Sequence, residues 1–192
     1  MLICVDPGHG MGNRRPNVFD PGAVWDEAGV RFEEAAIALQ YGLALRDALR
    51  AAGHEVFMTR DDAQDPCPVG QRARNAERVG AKLLISLHLN SAANPDGSIN
   101  DSAHGVETLF RDEPDRALAV ALNTAVVQAT GLRDRGAIKR DGLAVLAFNG
   151  PAALIELGFI PNDRDRDTLL TPAVRHNVCK ALTQAIGRVF PA

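Results

Sequence analysis

The 192-residue chain carries 21 Lys and Arg against 24 Asp and Glu, a formal net charge of −3, and is 46% hydrophobic and 23% charged. That composition suits one globular domain with a sizeable core and leaves no basic field to hold a nucleic acid. Cys4, Cys67 and Cys179 are odd in number and far apart, which argues against a disulfide framework or a cysteine-rich zinc site, and no apolar run is long enough to cross a membrane.

In chain order, Leu2-Ile3-Cys4-Val5 reads as a buried strand that stops at the Asp6-Pro7-Gly8 turn. His9 follows between two glycines, just past the strand's carboxyl end, where open α/β sheets place ligands. Met11 to Gly29 is rich in Gly, Pro, Asn and Asp and is expected to be an irregular active-site loop. A helix is predicted from about Phe32 to Ala52, with Ala38, Tyr41, Leu45, Ala48, Leu49 and Ala52 on one face and Gly53 as its stop. Running that stripe back by one turn reaches Glu34, while Glu33 falls on a row that turns polar. Glu34 therefore faces inward at the first turn and needs a partner, either backbone N–H groups or a metal.

Glu55–Thr59 is the second predicted strand, Val69–Val79 a short helix, and Leu83–Leu87 a third strand that runs into His88 and Asn90. Alternation places Ser86 and His88 on one face, with His88 at the same sheet edge as His9. A loop over 94–104 precedes a strand at Val106–Phe110, and a helix over 117–130 ends at Gly131. Residues 132–143 read as a charged surface loop and 144–146 as a short strand. The apolar run from Pro151 to Phe159 holds a single carboxylate, Glu156, with no cation near it in sequence. Such a group is costly unless paired or protonated, which is the setting of a catalytic acid or base. A short helix after Asn162-Asp163 and a last one opening at Thr171-Pro172 complete the chain. The expected fold is α/β, a single domain over residues 1–192. Its sheet is twisted, mostly parallel and mixed, with about five to six strands and helices on both faces. His54, His104 and His176 are expected to be solvated, Glu107 to be structural, and Ser86 and Asn90 to be possible pocket walls.

Three strands thus deliver His9, His88 and Glu156 to one edge, and a helix start adds Glu34. Two histidines and a carboxylate on a metal, with a further glutamate as base, is a recurring hydrolase arrangement. The motifs VDPGHG, DPGA, a Glu opening a helix, TR, an Arg-bearing helix, ISLHLN, GVETLF, RG before VL, and IELGFIPN follow one another in an order that resembles the zinc-dependent N-acetylmuramoyl-L-alanine amidases of the Amidase_3 type. The group includes bacterial cell-wall amidases and phage endolysins, and the resemblance covers nearly the whole chain.

The resemblance implies one Zn2+ held by His9, Glu34 and His88, with Glu156 as the catalytic glutamate. It implies peptidoglycan as the partner, cleaved between muramic acid and L-alanine; the chain is expected to act as a monomer, without membrane insertion. The chain departs from the family pattern in its long segment before DPGA. It also carries Glu77 where the family has an Asn, and has no counterpart of the inhibitory helix of some exported members. No signal peptide is read, so the expected setting is the cell wall. The chain would reach it from the cytoplasm at lysis, as an endolysin does, or would be the excised domain of an exported enzyme. The competing readings are a zinc peptidase of stem peptides and a non-catalytic peptidoglycan-binding relative.

Overall fold

The computed structural model describes residues 1–191. Its strands are β1 (Leu2–Pro7), β2 (Gly10–Met11), β3 (Phe19–Asp20), β4 (Val24–Glu27), β5 (Val30–Glu33), β6 (Glu55–Met58), β7 (Leu83–Asn90), β8 (Val106–Phe110), β9 (Asp134–Lys139) and β10 (Ala152–Phe159). The helices are α1 (Glu34–Ala51), α2 (Arg72–Arg78), α3 (Arg116–Thr130), α4 (Asp163–Leu170) and α5 (Pro172–Val189). Six strands form one sheet in the order β6-β1-β7-β10-β8-β9. The first four are mutually parallel, and β8 turns the direction by pairing antiparallel with β10. The carboxyl ends of β1, β7 and β10 therefore share an edge with the amino ends of β8 and β9.

Alternation along the strands sorts the core into two layers. Ile3, Val5, Ile85, Leu87 and Ile155 face Tyr41 and Leu45 of α1, Leu118 and Leu122 of α3, and Leu182 and Ile186 of α5. Cys4, Leu84, Leu109 and Leu154 face the other way, onto Ala73 and Ala76 of α2 and a short 3-10 turn that carries Val145 and Leu146. Helices on both faces are what a parallel sheet needs, because both of its surfaces are apolar. Among the described residues no helix is long and apolar enough to cross a membrane. All three cysteines are buried and unpaired.

The irregular loop expected between Met11 and Gly29 is instead built from two small ribbons, β2 with β3 and β4 with β5. Ala28 and Gly29 both have positive φ (48° and 79°), which closes the β4–β5 hairpin in two residues. An alanine in that role hides the turn from a reading of sequence. Since Phe32 and Glu33 pair with Trp25 and Val24, α1 begins only at Glu34. Residues 134–139, expected as loop, are the edge strand β9. Its Asp134, Arg135, Gly136 and Lys139 obscure strand character, and charge is how edge strands avoid unwanted pairing. Ala144–Ala147 forms the 3-10 turn rather than a strand.

Candidate metal centre and active site

The Asp6–Gly10 turn is fixed from beneath by two buried arginines. Arg60 donates from Nε to Pro7 O (3.0 Å) and from Nη2 to Gly8 O (2.8 Å) and Ala35 O (2.7 Å). Arg72 donates to Pro7 O at 2.8 Å, His9 O at 2.7 Å and the Asp6 carboxylate at 2.7 Å. Asp6 also accepts from Ser86 and Thr59, so Ser86 belongs to this base and not to a pocket wall. Burial alone would raise the Asp6 pKa. Arg72, then Ser86 and Thr59, outweigh it and hold the carboxyl below its usual range. What this network secures is an unusual backbone: His9 has φ 59°, a left-handed conformation that few non-glycine residues adopt.

Close approach also dictates two glycines. A Cβ at Gly8 would overlap the His88 ring, and one at Gly22 would overlap the Glu34 carboxylate and sit 2.7 Å from the His9 ring.

His9, Glu34 and His88 come together, one donor atom of each lying within 4.8 Å of the others. Glu34 is buried, and its Oε1 is 3.1 Å from His9 Nε2 and 2.8 Å from His88 Nδ1. Glu33, its neighbour, faces outward to Arg31. The Glu34 carboxylate is oriented by Ala23 N (2.7 Å) and Leu89 N (3.1 Å). Burial pushes its pKa up, but the two imidazoles outweigh burial and keep it well below the ordinary value.

On the far side of the His9 ring, Nδ1 lies 3.0 Å from Asp20 Oδ2. When Nδ1–H donates to Asp20, His9 Nε2 presents a lone pair to a carboxylate oxygen, and only a proton or a metal cation can join two such groups. A carboxylate behind a histidine is the usual support of a metal-binding imidazole. The protein atoms alone meet this demand with a proton: Glu34 and Asp20 raise the His9 pKa against the effect of burial. The donor set therefore fits a divalent metal of the kind that accepts nitrogen and oxygen ligands.

Next to this group runs a row of side chains across three strands. Register pairs Glu156 with His88 on β7 and with Glu107 on β8, all on the face that α2 covers. The two glutamates differ in what they touch. Glu107 is engaged twice, accepting from Asn90 Nδ2 at 2.9 Å and Arg135 Nε at 2.7 Å. Glu156 Oε2 is buried and has no hydrogen-bond partner among the described residues. Burial first, then the charges of Glu34 and Glu107, push its pKa well above the ordinary value against the pull of Arg140. Two carboxyl groups one strand apart thus differ in their surroundings, one held by two donors and the other left free at Oε2. Beside the histidines a cavity of about 210 Å³ opens onto Val69, Leu143, Val145 and Leu154.

All four residues singled out from sequence thus lie at one sheet edge. Sequence reasoning did not assign Asp20, Asp6, Arg60, Arg72 or Arg135. They sit inside the motifs DPGA, VDPGHG, TR, the Arg-bearing helix and RG before VL, so the signal was present without its physical meaning. Glu77 accepts from Asn149 N at 2.9 Å, in the layer between α2 and the start of β10. His176 is exposed as expected, whereas His54 is half-buried with Nδ1 unpartnered among the described residues.

A mixed α/β sheet that presents two histidines, a buried glutamate and an unpartnered carboxyl along one edge has the layout of a hydrolase domain suited to a metal. Comparison with known proteins names the family. The chain belongs to the N-acetylmuramoyl-L-alanine amidase family (Amidase_3), whose profile matches residues 3–188.

It is 28% identical over 194 residues to the N-acetylmuramoyl-L-alanine amidase CwlM of Mycobacterium tuberculosis, an alignment covering 98% of this chain and 45% of that protein. The chain therefore spans about half the length of that relative. Its fold matches the N-acetylmuramoyl-L-alanine amidase AmiC2 of Nostoc punctiforme with a TM-score of 0.84 at 25% identity, covering 100% of this chain and 98% of the other. The catalytic domain of the amidase CwlV from Paenibacillus polymyxa matches with a TM-score of 0.83 at 25% identity, covering 98% and 97%.

Proposed function

We propose that this chain is a zinc-dependent peptidoglycan hydrolase that cleaves the amide between N-acetylmuramic acid and the L-alanine of the stem peptide, with His9, Glu34 and His88 as metal ligands. The family and the similar amidase domains support the bond cleaved. The observation that carries the mechanism is the unpartnered Glu156 Oε2 beside the His9–Glu34–His88 group.

Zinc bound there supplies Lewis-acid chemistry, polarising a carbonyl and acidifying water. The protein's own part is positional and protonic. Asp20 fixes the tautomer and orientation of His9, and the backbone N–H groups of Ala23 and Leu89 fix Glu34. Glu156 takes a proton from the attacking water at a carboxylate oxygen and delivers it to the departing alanine nitrogen. Its raised pKa favours the proton-carrying form, and a dication held by Glu34 would oppose that rise, so that one group would serve as base and then as acid.

Glu156→Gln tests this reading. The variant is expected to bind metal as the wild type does and to lose turnover by about a hundredfold or more, the scale of a missing general acid–base. Wild-type turnover in the variant would remove Glu156 from the role. Shortened peptides still attached to muramic acid, in a wild-type digest, would point to a zinc peptidase instead.

A further inference from the structure

We propose that Arg135 reads the substrate: its guanidinium binds a carboxylate of the stem peptide while Glu156 acts on the amide beside it. The inference rests on the amidase reading above and names the feature of the substrate that the site recognises.

Three observations converge on this residue. First, topology puts Arg135 at the active edge. Because β9 runs parallel to β8 and opposite to β10, its amino end lies beside the carboxyl ends of β7 and β10. Second, a bulge re-aims it. Val106 pairs with Asp134 and Glu107 with Gly136, which leaves Arg135 as the extra residue, and Gly136 absorbs the bend at φ 86°. Bulges in this position serve to redirect a side chain.

Third, the guanidinium is held from one side and from beneath. Nε donates to Glu107 Oε2 at 2.7 Å, and the group lies over the Phe159 ring at 4.9 Å from its centroid. Phe159 is buried, and Glu107 is in turn held by Asn90. Neither Nη atom has a hydrogen-bond partner among the described residues, and the side chain remains about one-third exposed (32%). A positioned arginine with its two outer nitrogens free presents the geometry that takes a carboxylate in bidentate fashion.

The substrate's chemistry says which part is read. The lactyl carboxyl of muramic acid is consumed in the scissile amide, and the N-acetylated sugars carry no other charge. Every carboxylate of a muramoyl peptide is therefore on the peptide side. The carboxylates of Glu34 and Glu107 would repel such a group wherever no cation faces it. Arg135 is one bonded step from Glu107, which is itself the strand partner of Glu156.

The test compares two soluble substrates, an N-acetylmuramoyl tripeptide with free carboxyl groups and the same compound with those groups as primary amides. The wild type should favour the carboxylate form by about tenfold in kcat/KM, mainly through KM, the scale of a lost charged hydrogen bond. Arg135→Gln should bring the ratio close to one, through a loss on the carboxylate substrate that the amidated substrate does not share. Arg135→Lys, which keeps the charge without the fork, should fall between. A ratio unchanged in Arg135→Gln would overturn the assignment, as would an equal loss on both substrates. Cleavage by the wild type without discrimination would refute the role of Arg135 alone, whereas no cleavage of either substrate would refute the amidase reading as well.

Discussion

Arg72→Met is the most informative single perturbation of the scaffold. The guanidinium is buried and ties together Asp6, Pro7, His9, Asn13 and Cys67 through contacts of 2.7–3.0 Å. Methionine fills much of the volume but leaves Asp6, itself fully buried, with only two hydroxyl partners. Breaking a buried ion pair from one side costs about 3–5 kcal/mol. In a domain of this length each kcal/mol moves Tm by about 2–4 °C, so the midpoint should fall by roughly 6–20 °C.

The pH dependence should change with it. The Asp6 pKa is depressed from 3.8 in the folded state, so its contribution is present above that value and fades as pH falls through the lower, folded pKa. That acid limb should be missing from the variant. Urea unfolding followed by circular dichroism from pH 2 to 7 reads both effects, and adding Asp6→Asn should recover part of the loss. A single variant less than about 1 kcal/mol below wild type would refute the view that this pair supports the His9 turn.

Two further outcomes follow from the site. Asp20→Asn keeps the shape but removes the charge behind His9, and should weaken zinc binding by about 10–100-fold without unfolding the domain. Competition against a chromogenic chelator measures it. Gly22→Ala forces a Cβ onto Glu34 and the His9 ring at a φ of 71°, and should lower both metal occupancy and Tm. Metal analysis of the purified protein with a thermal melt reads both.

Much of this architecture was visible in the sequence because its parts obey simple periodicities. The apolar runs of β1, β7 and β10 and the stripes of α1 and α5 gave the layers, and strand alternation put His88 and Glu156 on one face. The stripe on α1 separated Glu34 from Glu33. What stayed hidden depends on contacts between distant residues. Asp20 gains its meaning only when the β2–β3 ribbon brings it to His9, and Arg72 only when α2 packs under the Asp6 turn. β9 was hidden by its own charges. Arg135 lies in a stretch whose charges and glycines predict a surface loop, since nothing local marks a bulge or the Phe159 ring beneath it. The β4–β5 hairpin escaped because alanine occupies a position where glycine or asparagine is the usual signal.

The measurement that bears most directly on the proposed chemistry is mass spectrometry of purified peptidoglycan digested by the protein, with zinc present and after its removal by a chelator. The proposal predicts free stem peptides with an L-alanine amino terminus, lost on chelation and restored by zinc. Peptides released unchanged after chelation would contradict the metal assignment, and products still joined to muramic acid would contradict the bond.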